Sequence, residues 1–358
     1  MKNVLIDFVV LSLLNLLNMN ELKVITKKEE WTEELQHFRA DWYHSWSYHY
    51  ALFKRNEGKP ILFIMTDQNH ESIAIPLLLR KIDGYKYKDM TSVYGYPGFL
   101  FSETYNKRLY ETFIQKLIIW SEENNIISIF SRLNPFLIDA EELKMCSLSG
   151  ETVFIDLMLD EVKQKSNYRS VHRNLLGRLK KNGFKANWSN SQKSICDFKY
   201  IYRKTMKDLG ANDYYFFDDS YFNDILNSKD FKVRIYNVWL NDLKVCSGIF
   251  IFHNEIVHYH LSGALKAYKN ASPTIMLINQ VRKDAAILGF KYFHLGGGFG
   301  GQKDGLYNFK YGFSKKSINL YSFKMIINEN IYKKLSNISS SDSVPNKGFF
   351  PLYRKISE

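Results

Sequence analysis

A chain of 358 residues exceeds one ordinary domain, and 45% hydrophobic with 16% aromatic residues can fill two cores. Lys and Arg number 49 against 37 Asp and Glu, a net charge of +12 that suits a polyanionic partner: a nucleotide-linked substrate, RNA or an acidic membrane face. Cys146, Cys196 and Cys246 are odd in number and lack Cys-x-x-Cys spacing, which argues against a disulfide framework or a zinc ribbon and for a reducing, cytoplasmic setting.

Residues 4–17 are largely apolar, but Asp7 and Asn15 interrupt a run already too short to span a bilayer as a helix. One lysine precedes it and no small-residue cleavage site follows, so it makes a poor signal peptide. Residues 1–18 read as an over-extended start ahead of Met19, or else as a peripheral anchor.

A first domain follows over 19–150. It opens with an aromatic-rich helix at 31–53, then strands at 61–66 and 72–79 that form a hairpin, with Pro76 hinting at an edge or bulge. A third strand at 91–101 is broken by Gly95, Pro97 and Gly98, because proline cannot donate to a ladder. An amphipathic helix at 105–123 and a strand at 126–132 complete the order.

The same order returns in a second domain, 151–335. A strand at 151–159 leads into a basic helix at 166–182, closed by Gly183, and two helices follow at 195–209 and 219–228. Strands at 231–240 and 244–253 form a hairpin across Asn241 and Asp242, with a further strand at 255–262. Ser272 reads as the N-cap and Pro273 as the first residue of a helix to 288, closed by Gly289. Its free N–H groups beside Lys266 and Lys269 make a candidate anion site. The strand 291–295 ends in five glycines among six residues, and 336–358 reads as a tail, flexible over 336–343.

Glycines packed this densely after a strand allow a sharp turn or a close backbone approach. Gly296, Gly298 and Gly301 satisfy Gly-x-Gly-x-x-Gly, but 307–313 does not read as a helix and no βαβ unit follows, which disfavours a dinucleotide site. A plain hairpin or bulge is the bland alternative. His258, His260 and Ser262 alternate onto one strand face, and Tyr292 and His294 onto one face of the next. Either set can supply a proton acceptor or a buried structural imidazole; a His258–His260 metal pair lacks an evident third ligand.

The repeated order resembles the GNAT acyltransferase fold in duplicate, a mixed α/β architecture. Several segments resemble the Fem-type branch and its acetyltransferase-like relatives found with surface-polysaccharide genes. They are 89–99, Ser131-Arg-Leu-Asn-Pro-Phe136, 168–178, His260-Leu-Ser-Gly263, the 273–288 helix, His294-Leu-Gly-Gly-Gly298 and Phe309-Lys-Tyr-Gly-Phe313. The resemblance extends over most of 19–335.

The resemblance implies an enzyme that moves an acetyl or aminoacyl group to an amine on a nucleotide-diphosphate or lipid-diphosphate linked sugar or cell-envelope precursor. It implies no tightly bound cofactor, with acyl-coenzyme A or aminoacyl-tRNA as donor substrate. A tRNA, and peripheral contact with the inner membrane, are the further partners it allows. Lys310 is then the acceptor-diphosphate lysine, with Tyr94, Tyr96, Arg169 and Arg173 as further acceptor contacts.

His260, His294 and Asp304 are the candidate catalytic groups, beside the glycine loop Gly296, Gly297 and Gly298. Donor contacts fall to Lys269, Asn270 and Ser272, although 265–271 departs from the GNAT Arg/Gln-x-x-Gly-x-Gly/Ala pattern. The rival functions are a tRNA-dependent peptidoglycan-bridge aminoacyltransferase, whose long coiled-coil insertion this chain lacks, and a non-catalytic RNA- or partner-binding protein.

Overall fold

The computed structural model describes residues 21–103, 105–345 and 348–355. The expected over-extended start or anchor at 1–18 lies outside the described residues. The chain divides into two compact units, Met1–Leu148 with Tyr321–Glu358, and Ser149–Leu320.

In the first unit the strands run Lys23–Ile25, Lys59–Thr66, Ser72–Lys81, Lys88–Thr91 and Ile126–Arg132, and residues 322–326 pair beyond the last of these. All neighbours are antiparallel except Lys88–Thr91 and Ile126–Arg132, which are parallel. Such a pair needs a crossover, supplied by the helix Lys107–Glu123. Asn106 caps it by accepting from the Leu109 N–H at 3.1 Å, and Leu109, Phe113 and Leu117 form one buried stripe. That stripe packs with Phe63, Ile75, Phe99, Ile129 and Phe323.

Pro76 is paired to Leu62 on one side; on the other it lies between the paired stretches 73–74 and 78–81, where no ladder bond is required. The strand expected over 91–101 is broken at Gly95–Gly98 as its residues imply, leaving two short strands, Lys88–Thr91 and Leu100–Phe101.

Residues 322–326, expected in the second domain, pair within the first unit's sheet. In the segment expected as a tail, the Tyr353 hydroxyl is 2.8 Å from Ser128 Oγ, while Arg354 Nε donates to Asp89 at 2.9 Å. A polar-looking C-terminus hid these side-chain anchors.

The second unit orders its strands Cys146–Asp156, Tyr292–Gly296, Ile256–Ala264, Leu243–His253, Lys232–Leu240 and Lys185–Trp188. The 232–253 hairpin turns at Asn241, whose φ of 53° is the left-handed value such turns favour. Only Ile256–Ala264 and Tyr292–Gly296 are parallel, joined by the helix Thr274–Ile287, which buries Ile275, Leu277, Ile278, Val281 and Ala285. The basic helix expected at 166–182 runs Ser170–Lys181; a separate helix, Glu161–Ser166, capped by Asp160, precedes it, and Tyr168 is buried between the two.

Candidate active site

The parallel pair of the second unit holds together over three residues, Ile256, Val257 and His258 against Tyr292, Phe293 and His294. Beyond them the partners diverge. Residues 259–264 stay with 246–250, while Gly296 pairs with Val153 across a register shift. Two strands that part in mid-sheet leave unpaired backbone and a notch between them.

The glycine loop forms one wall. A Cβ on Gly297 would lie 2.7 Å from the Glu151 carbonyl oxygen, and one on Gly301 2.3 Å from that of Ser149. Only glycine lets the loop lie this flat on the strand beneath it. The Gly298 carbonyl accepts from the Gly301 N–H at 3.3 Å, and Gly296, at a φ of 81°, turns the chain out of its strand.

Asp304 fastens the loop to the helix Gly305–Tyr311. Its carboxylate accepts from the N–H of Phe299 at 2.9 Å and of Tyr307 at 2.8 Å, which holds it below the usual carboxylate range. The expectation that no helix occupies 307–313 is thereby corrected: a side-chain N-cap starts one that hydrophobic periodicity does not reveal. The same bonds give Asp304 a capping role and leave it a weak base.

This short helix delivers Lys310. Its Nζ donates to the Gly297 carbonyl at 2.7 Å, 6.0 Å from the centre of the Tyr259 ring, with the residue 9% exposed. Burial pushes its pKa down to about 8, opposed by the Asp304 charge. Among the described residues no carboxylate forms an ion pair with it. Glu151 is spent nearby on Lys303 at 2.5 Å, Ser317 at 2.7 Å and Tyr307 at 2.8 Å, bonds that hold its carboxyl down to about 2.

The histidines sit at the fork. His294 Nε2 is 2.6 Å from Thr152 Oγ1, and its Nδ1 is 3.3 Å from His258 Nδ1, both rings buried. His260 Nε2 is 2.7 Å from the Tyr221 hydroxyl. Burial first, then the neighbouring His258, holds His260 down to about 3, so it is neutral at pH 7.

The expected alternation of His258, His260 and Ser262 breaks. Ile249 pairs with Leu261 but Phe250 with Tyr259, making His260 the extra residue of a β-bulge. Ser262 instead meets the Tyr259 hydroxyl in a hydrogen bond.

Other expected residues lie elsewhere. The Arg173 guanidinium donates to the carbonyls of Ser166 and Tyr168, and the Arg169 N–H to the Gly312 carbonyl at 2.8 Å. Arg173 thus braces the link 166–169 between two helices, and Arg169 braces the chain at Gly312. Lys269 and Asn270 are exposed on the 3-10 turn Lys266–Ala271.

Ser272 makes no side-chain cap: it adopts a left-handed φ of 54° to end that turn, and Pro273 takes the cap position. The N–H groups of Ile275, Met276 and Leu277 are already bonded to the carbonyls of Ser272 and Pro273. Tyr94 and Tyr96 belong to the first unit, where the Tyr94 carbonyl accepts from the Tyr48 hydroxyl at 2.7 Å and the Tyr96 ring meets Tyr43 edge-on.

Glu151, Thr152, Tyr221 and Tyr259 were missing from the sequence reading. Only Glu151, directly after Gly150 on an expected strand, carried any local signal. Among the described residues no group of three or more His, Cys, Asp or Glu is placed to hold a metal ion, and no helix is long and apolar enough to cross a membrane.

Residues 166–311, which contain the notch, match the family model for the acetyltransferase (GNAT) domain. The fold is similar to the crystal structure of FemX at a TM-score of 0.65 and 11% identity, covering 87% of this chain and 99% of that one. It is also similar to L-PGS from Bacillus licheniformis at a TM-score of 0.54 and 11% identity, covering 85% and 93%. No curated protein matches the sequence. The GNAT domain over residues 166–311 marks the protein as an acyltransferase. The fold that surrounds this domain is like that of FemX.

Proposed function

We propose that the protein is a cytoplasmic N-acyltransferase acting on an amine of a nucleotide-diphosphate or lipid-diphosphate linked sugar or cell-envelope precursor, with the notch of the second unit as its site. The observation that carries this reading is Lys310, a buried ammonium beside the strand fork with a backbone carbonyl but no carboxylate against it. An unpaired buried charge is costly, and an anionic acceptor group would supply the missing counter-charge. A lipid-linked acceptor would bring the protein into peripheral contact with the inner membrane.

In the transfer the acceptor amine attacks the acyl carbonyl, the carbon–sulfur or carbon–oxygen bond to the donor breaks, and the amine proton must leave. We assign that proton to the His294–His258 pair, since His260 is a weak base and Asp304 is committed to its cap. Thr152 fixes the His294 ring from the far side.

Acyl-coenzyme A is the donor that a GNAT domain implies. Aminoacyl-tRNA is the second reading, favoured by the first turn of Thr274–Ile287, whose N–H groups from Ile275 to Leu277 are already occupied. A thermal-shift and calorimetric titration with acetyl-coenzyme A tests this. A shift that grows with ligand is the expected result. No binding at millimolar ligand overturns the coenzyme A donor and makes charged tRNA the next to try.

A further inference from the structure

An open cleft of about 580 Å³ lies within the second unit, at the outer strands Lys185–Trp188 and Lys232–Leu240. The register places it away from the notch. Lys232 and Arg234 pair with Phe252 and Phe250 near the start of the hairpin, and the next strand begins opposite His253, whereas the fork opens past His258. None of the acyl-transfer residues lines it.

Its centre is a guanidinium between two rings: Arg234 Cζ lies 4.5 Å from the Trp188 ring centre and 4.9 Å from that of Phe252. Trp188 is nevertheless 46% exposed. Arg234 Nε is buried without a hydrogen-bond acceptor, a donor left with its bond unmet. Lys232 stands two residues away on the same strand face, about 6.6 Å along, and Lys229 precedes it on the rim. Among the described residues none of these three cations forms an ion pair with a carboxylate. Asp230 is the lone carboxylate in the lining.

We propose that this cleft binds single-stranded RNA, the bases stacking on Trp188 and the phosphates meeting Arg234, Lys232 and Lys229. Every base offers a π-face to an exposed indole, and cations spaced along an extended strand track a backbone that carries one charge per nucleotide. A small monoanion would satisfy one cation; an extended polyanion satisfies the row. The assignment fits an RNA-borne donor, but it rests on the cleft's own chemistry and not on which donor the notch uses.

The test is fluorescence anisotropy of the full chain with a labelled single-stranded RNA of about ten nucleotides, within the usual span of such sites. The expected result is salt-sensitive binding, with a log–log slope of about −2 for three phosphate contacts on a single strand. Trp188→Ala should weaken binding about tenfold, Trp188→Phe should restore most of it, and Lys232→Glu should weaken binding and flatten the slope. Lys232→Glu, a surface change, decides the matter if Trp188→Ala fails to fold by circular dichroism.

Failure of the wild type to bind at low salt would overturn the proposal. So would unchanged binding by the variants, or equal affinity for a mononucleotide. Those outcomes leave the acyl-transfer reading standing, because acetyl-coenzyme A titration judges it separately.

Discussion

Both units contain the same local device, a strand, a crossover helix and a parallel partner strand, and they finish it in opposite ways. In the first unit the space past the parallel pair is filled by the protein. The Ser92 N–H continues the ladder to the Phe130 carbonyl at 2.8 Å, and Asn134 Nδ2 donates to Asp41 at 2.8 Å. His44 Nε2 is 2.8 Å from the Pro97 carbonyl. A Cβ on Gly98 would press on the Leu133 backbone at 2.8 Å. In the second unit the ladder stops at His258 and His294, and what stands beside the opening is a buried lysine.

The charges repeat the contrast. Asp89 is wholly buried, yet Arg80 at 2.7 Å and Arg354 at 2.9 Å both meet it. Lys310 is nearly as buried and meets only a carbonyl. A closed ion pair holds a structure together, whereas an open buried charge is kept at a cost and marks a place for a ligand.

Breaking the open member should have the largest effect. Lys310→Ala is expected to lower kcat/KM about 100-fold, mainly through the acceptor KM, with the melting temperature unchanged or raised. Steady-state kinetics beside a thermal melt reads both, and an unchanged acceptor KM would sink the assignment.

The closed member should fail differently. Asp89→Ala leaves two buried-side guanidinium groups facing each other, and its expected cost is about 3–5 kcal/mol of stability by denaturant titration. A loss below about 1 kcal/mol would mean that water already screens the pair.

The smallest effect sharpens the comparison through pH. The folded Lys310 pKa, about 8, lies below the ordinary 10.5, so the unfolded chain holds the proton more tightly. The penalty is therefore full below about pH 8 and is relieved as pH rises toward 10.5. Lys310→Met should remove that rise in stability, and an identical pH profile in the variant would show the ammonium to be better solvated than its burial indicates.

Much of this frame was legible in the sequence. The Asn241-Asp242 turn marked the hairpin and the amphipathic pattern of 105–123 marked its helix, whereas the parallel pairing across each crossover helix was not stated by the sequence. The site was legible only in its backbone: the glycines announced a close approach, but not that the partner is their own strand at 149–151.

Asp304 looked like a candidate base because a carboxylate after glycines has no helical periodicity to declare it a cap. His260 was misplaced on its face because a bulge adds one residue to a strand whose alternation otherwise reads true. Arg173 and Ser272 were claimed for ligands, although backbone carbonyls occupy the first and a left-handed turn the second. Local patterns see period and propensity; they do not see which distant group has already taken a side chain.

The most direct test of the central claim is a calorimetric titration of the full chain with inorganic diphosphate at about pH 8.5, in two buffers of different ionisation enthalpy. Near that pH Lys310 is largely neutral, and an anion drawn to it should raise its pKa and take up a proton. The account predicts buffer-dependent heat that reports net proton uptake in the wild type and its disappearance in Lys310→Met. The same affinity and the same proton uptake in both proteins would contradict it.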